Sequence, residues 1–136
     1  MKRALAYCCF CILDHGIWLL IQLLPGSLLI GFARERPWQR LKLLLPPLTQ
    51  QVWQARISWL LRTRCRQAKS ASTCLSRSLS GRLLLDLIGV ENELHLGMSK
   101  FSDGRKVPHA WLVEPSSGRL FTPGLTAKAG VPLTQL

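Results

Sequence analysis

The hydrophobic period of this 136-residue chain changes at Gly89. Before that residue, Leu75, Leu79, Leu83 and Leu87 recur every four positions, the spacing of one helix side, with Ser72 or Thr73 placed to cap the start and Gly89 to stop it. After it the alternation is every second residue: Leu94–Met98, Val107–Val113 and Arg119–Thr122 read as strands. Ser102-Asp103-Gly104 and Pro115-Ser116-Ser117-Gly118 supply the turns between them. A helix feeding an antiparallel sheet is an α+β arrangement.

The first half is helical throughout. Ala4–Leu24 is apolar nearly all round, Pro25-Gly26 punctuates it, and Ser27–Phe32 runs into the basic segment Arg34–Pro37, so two helices joined by a turn are expected. A membrane-spanning helix needs about 20 continuous apolar residues, and Asp14-His15-Gly16 interrupts this run. Lys2 and Arg3 ahead of Ala4–Leu13 resemble the start of a secretory signal, but no small-x-small cleavage site follows. Trp38–Leu45 is a basic, leucine-rich segment ended by Pro46-Pro47. Thr49 then caps a helix over Gln50–Lys69, with Val52, Trp53, Arg56, Ile57, Leu60 and Leu61 at three- and four-residue spacing. A helical region, 1–47, therefore precedes a core, 48–136.

The chain has 18 basic and 7 acidic residues, a net charge of +11, and 48% hydrophobic residues, enough for a packed core. The charge is uneven, +9 over residues 1–73 and +2 over 74–136. Arg34, Arg36, Arg40, Arg62, Arg64 and Arg66 suggest phosphate contacts, but no helix-turn-helix, zinc-finger or RNA-recognition signature accompanies them. The basic surface fits a partner, an acidic leader segment or anionic lipid. Five cysteines, three of them crowded at Cys8, Cys9 and Cys11, form no disulfide framework and point to a reducing, cytoplasmic setting, with a peripheral place at the inner membrane face open to the first helix. With His15 they lack the paired spacing of a structural zinc site, so neither metal nor other cofactor is expected.

Cys74 falls at a helix N-terminus, where unpaired N–H groups and the helix dipole stabilise a thiolate. A cysteine hydrolase also needs an imidazole to take up and return a proton. His95 and His109 both fall on expected strands, and alternation puts His109, Trp111 and Val113 on one face and Ala110, Leu112 and Glu114 on the other. As single residues, Cys74 reads equally as a buried small hydrophobe and His95 as a half-buried structural histidine.

Three motifs in order, Cys74-Leu75-Ser76-Arg77-Ser78-Leu79, Leu94-His95-Leu96-Gly97-Met98 and His109-Ala110-Trp111-Leu112-Val113-Glu114, resemble the transglutaminase-like cysteine proteases that mature lasso peptides. The resemblance covers roughly residues 73–122 and implies a papain/transglutaminase-like helix and antiparallel sheet. It also implies a leader peptidase in which Cys74 attacks the junction of a precursor's leader and core, with His109 as base and then acid. Arg77, Ser78, His95, Trp111 and Glu114 would line the site, Trp111 by packing over His109. The implied partners are the precursor peptide, a separate leader-recognition protein, and an asparagine-synthetase-like lasso cyclase; nucleic acid is not among them. The family's third catalytic residue, an aspartate on the next strand, is missing here. If Glu114 pairs with Arg119, Thr122 falls opposite Trp111 on the His109 face, as a weak third member, while Glu114 faces away. The alternatives are a catalytically weak or inactive scaffold or membrane-associated protein of the same pathway, and a basic nucleic-acid-binding domain.

Overall fold

A computed structural model describes residues 2–38, 43, 45–67, 74–100, 106–122 and 131–135. Among the described residues four helices precede the sheet: α1 (Lys2–Leu23), α2 (Gly26–Glu35), α3 (Pro47–Gln67) and α4 (Cys74–Leu87). The strands are β1 (Glu93–Lys100), β2 (Lys106–Val113) and β3 (Val131–Gln135), in the spatial order β2-β1-β3, both pairs antiparallel. The fold is α+β.

Helix α1 passes through Asp14-His15-Gly16 without a break. One interior glycine costs a helix only about 1 kcal/mol, and Asp14 is turned inward onto partners on other helices. The stretch Ala4–Leu23 is therefore long and apolar enough to cross a membrane by length and composition, contrary to the reading of the sequence as interrupted. Pro25 separates α1 from α2 as expected, and its carbonyl accepts the Leu28 N–H at 3.0 Å. Helix α2 is followed by Arg36, a non-glycine residue in left-handed conformation with φ of 46°. Its guanidinium pays back that local cost by donating to the Asn92 carbonyl at 2.7 Å and lying 3.4 Å from Asp86 Oδ1. Helix α3 starts at Pro47, earlier than a cap at Thr49 would place it, because a proline in the first turn lacks only an N–H that would have no helical partner.

Gly89 stops α4 as its sequence position suggests. With φ of 75° its N–H donates to the Asp86 carbonyl, and the Val90 N–H donates to the Leu85 carbonyl, the paired bonds of a Schellman cap. The inward side of α4, however, is not the leucine row. Ser76, Arg77, Ser78, Ser80, Gly81, Arg82, Leu85 and Asp86 are buried, whereas Leu75, Leu79 and Leu84 only border the core. Small hydroxyl residues can be buried there because each finds an acceptor: Ser76 on Asp14, Ser78 on the Ala110 carbonyl and Ser80 on the Ser76 carbonyl. Gly81 lets α4 approach Leu61 of α3 and Leu112 of β2, both fully buried.

One core joins the four described helices to β1 and β2: Phe10 of α1 and Ala33 of α2 pack in the same cluster as Ile57, Leu61, Leu85, Leu94, Leu112 and Phe121. Helices on either side of the 47/48 boundary thus share it. The third strand differs from expectation. Residues 119–122 touch β2 through one bridge, Val113 to Leu120, and the Phe121 N–H to Leu112 carbonyl bond, while β3 pairs with the other side of β1. Pro132 disguises β3 in the sequence, since proline is tolerated only at a sheet edge, which is where this strand lies. The expected turn at 102–104 and the caps Ser72 and Thr73 lie outside the described residues, as does most of Trp38–Leu45.

A Cβ at Gly81 would stand 2.8 Å from Leu61 Cδ1 and 2.9 Å from Leu112 Cδ1. Gly81→Val should therefore destabilise the protein by about 1–3 kcal/mol, read as a lower urea midpoint at unchanged m-value.

Candidate active site

Cys74 is the first residue of α4, half-buried against the core, with no acidic residue in the helix's first turn to oppose the dipole. Two bonds fix this end of the helix. Ser76 Oγ donates to Asp14 Oδ1 at 2.8 Å, and Arg64 Nε donates to Asp14 Oδ2 at 3.1 Å, so the carboxylate of α1, 1% exposed, joins the starts of the Cys74 helix and the end of α3. One turn into α4, Ser78 Oγ donates to the Ala110 carbonyl at 3.1 Å. That bond seats the helix against the strand residue next to His109.

His109 lies half-buried on β2, stacked on Trp111 with centroids 5.8 Å apart and planes at 19°. Trp111, 7% exposed, also receives the edge of His95 at 5.7 Å, so the three rings form one row across β1 and β2. The strand register explains the row: His95 pairs with Trp111, and Gly97, with no side chain, pairs with His109. His95 Nε2 lies 3.1 Å from Glu93 Oε2, which commits it to its own strand. Both nitrogens of His109 are buried and have no hydrogen-bond partner among the described residues. Burial lowers the His109 pKa below its ordinary 6.5, and the nearby Arg77 cation lowers it further. The imidazole is held neutral, with both its donor and its acceptor unspent.

The register past the turn is the one the sequence suggested: the Glu114 N–H donates to the Arg119 carbonyl and the Phe121 N–H to the Leu112 carbonyl, leaving Thr122 opposite Trp111. The Thr122 hydroxyl oxygen nevertheless accepts the Leu112 N–H at 2.8 Å, so it ties the segment after the turn to β2 and makes no described bond to the His109 ring. Glu114 points away toward α3: Gln54 Nε2 donates to its Oε1 at 3.0 Å, and Ser117 donates to Oε2. The Ser117 bond is the main reason its carboxyl pKa is lowered.

Two aspartates carry more of the architecture than their sequence contexts suggested. Asp14 stood out in the sequence only as a break in an apolar run. Asp86, at the other end of α4, accepts from Trp38 Nε1 at 2.8 Å and Asn92 Nδ2 at 2.8 Å, beside Arg36. A lone acid within a leucine-rich helix was the available signal for both. An open cavity of about 570 Å³ lies at that far end, lined by Arg36, Asp86, Asn92 and Pro115 among others, and neither Cys74 nor His109 lines it. Among the described residues no three His, Cys, Asp or Glu side chains stand together in a metal-binding group.

The sequence profile of the transglutaminase-like superfamily matches residues 22–128, a span that contains Cys74, His109 and every strand but β3. The chain belongs to the transglutaminase-like superfamily. No curated protein and no solved structure matches it. Members of the superfamily are generally cysteine peptidases or transglutaminases. The match begins near the end of α1, so nearly all of that helix lies ahead of it.

Removing the Asp14 carboxylate takes an anionic partner from the Arg64 guanidinium and an acceptor from the Ser76 hydroxyl together. Asp14→Ala should cost about 3 kcal/mol, measured by chemical denaturation, with Arg64→Met in the same background restoring part of the loss. The lowered His109 pKa gives a second expectation. Below 6.5 the unfolded chain takes up a proton that the folded chain resists, so stability falls as pH drops from 6.5 through the lower folded value. His109→Phe, which keeps a ring against Trp111, should flatten that part of the stability profile; equal slopes in both proteins would disprove it.

Proposed function

We propose that this protein is a cysteine leader peptidase that removes the leader from a ribosomally made lasso peptide precursor before a separate cyclase closes the ring. The observation that supports it most is the seam between α4 and β2. The Ser78–Ala110 bond sets the helix that begins with Cys74 against the strand that carries a neutral, unspent His109.

In this reading the His109 imidazole accepts the Cys74 thiol proton as sulfur attacks the carbonyl carbon at the leader–core junction. Arg77, one turn from Cys74 on α4, is close enough to His109 to disfavour a resting imidazolium. The tetrahedral oxyanion collapses, the C–N bond breaks, and His109 returns the proton to the core's departing amine. Water, deprotonated by the same imidazole, then releases the leader as a free acid from the thioester, and the thiol is regenerated. The peptidase itself calls for no metal or cofactor. The precursor, a separate leader-recognition protein and the ATP-dependent asparagine-synthetase-like cyclase complete the pathway, and the chain works in the cytoplasm beside them.

One observation favours a second reading, a weak or inactive scaffold of the same pathway. The position where an acid would orient the imidazole is held by Thr122, whose oxygen is engaged by the Leu112 N–H.

The two readings separate on a cleavage assay with precursor and recognition protein, followed by mass spectrometry. The peptidase reading expects Cys74→Ala and His109→Ala to lose at least about 10³-fold in rate with melting curves like the parent's. Unchanged cleavage by either variant, or no cleavage by the parent protein, refutes it.

A further inference from the structure

Helix α1 is amphipathic in the reverse of the usual sense. Its docked side carries the charged Asp14, bonded to Arg64 and Ser76, together with Phe10 in the core. Its opposite side is apolar and exposed: Leu5 (68%), Ile12 (73%) and Leu19 recur at seven-residue spacing, with Leu23 (78%) one turn further on. Cys9, Gly16 and Leu20 are exposed beside them, so the row contains no charged side chain over a length of about 27 Å. Leu28 and Ile30 of α2 are exposed as well. Ordinary helices of water-soluble proteins put such a row inside.

We propose that this outward face of α1 rests on an anionic lipid bilayer, with the helix lying in the plane of the interface. Charge selects the occupant. The chain is +11 overall, and +9 of that lies in residues 1–73, with Lys2 and Arg3 opening α1 and Arg34 exposed at the end of α2. That excess attracts acidic headgroups and repels a second copy of the same chain. The row offers no hydrogen-bonding side chain with which a protein partner would set its register, whereas lipid requires none. Asp14 selects the orientation. A spanning α1 would have to leave the core and carry the carboxylate away from Arg64 into hydrocarbon, whereas a helix lying flat keeps Asp14 inside the protein and puts only the uncharged face in lipid. This inference rests on α1, nearly all of it outside the superfamily match, and does not depend on the peptidase reading.

Flotation of the full-length protein with vesicles tests it. The protein should rise with phosphatidylcholine vesicles containing phosphatidylglycerol about tenfold more than with phosphatidylcholine alone, lose that advantage at high salt, and be released by an alkaline wash. The double variant Ile12→Glu, Leu19→Glu, altered only at exposed positions, should remain unbound with an unchanged melting curve. Failure of the parent protein to float with either vesicle overturns the proposal, as does equal flotation of the double variant. Retention through the alkaline wash overturns it in favour of a spanning helix. A lipid-free dimer that the double variant dissolves, with no flotation, overturns it in favour of a second copy. The parent protein's flotation, salt response and wash decide the matter even if the double variant unfolds. Leader cleavage in solution is read separately, and its loss with flotation intact counts against the peptidase reading alone.

Discussion

A buried carboxylate is expensive unless it is paired and hydrogen-bonded, and the arrangement of this protein turns on how Asp14 meets that demand. Its two oxygens are taken by Ser76 and Arg64, one from the first turn of α4 and one from the last turns of α3. Three helices are thereby fixed at one point, two residues from Cys74. Hydrophobic packing alone, with apolar residues on nearly every side of α1, would leave its rotation poorly specified. A single charged group that must find its partners specifies it.

The same logic recurs at the far end of α4, where Asp86 gathers Trp38, Asn92 and Arg36. Between the two aspartates the helix turns serines and a glycine inward, each serine satisfied and the glycine allowing close contact with Leu61 and Leu112. The helix that carries the candidate nucleophile is thus held at both ends by ionic hydrogen bonds and in the middle by close packing. His109 is held differently, by stacking on Trp111 and by burial, with neither nitrogen engaged among the described residues.

Much of this was legible in the residues. The Gly89 stop, the change of period, the pairing of Glu114 with Arg119 and the placement of Thr122 opposite Trp111 all follow from local spacing and turn chemistry, which act over a few residues. The leucine row of α4 misled because periodicity reports which residues share a side and not which side packs. Ser76 and Ser78 are inside because acceptors on α1 and β2 await them, a fact absent from the sequence around them, while Ser80 bonds back to the Ser76 carbonyl of its own helix. β3 was hidden by Pro132, whose acceptability depends on the strand being at an edge. The Thr122 hydroxyl takes up the buried Leu112 N–H, which register alone did not reveal.

The sequence by itself determined the α+β order, the helix start at Cys74, the strand bearing His109 and the uneven charge, because short-range spacing and composition govern these. Only the tertiary structure decided what Asp14 is for. In the sequence it was a flaw in an apolar run, since one carboxylate among leucines carries no record of its partners. In the fold Arg64 and Ser76, some 50 and 62 positions away, turn it inward, and in doing so they turn the leucines of α1 toward the outside.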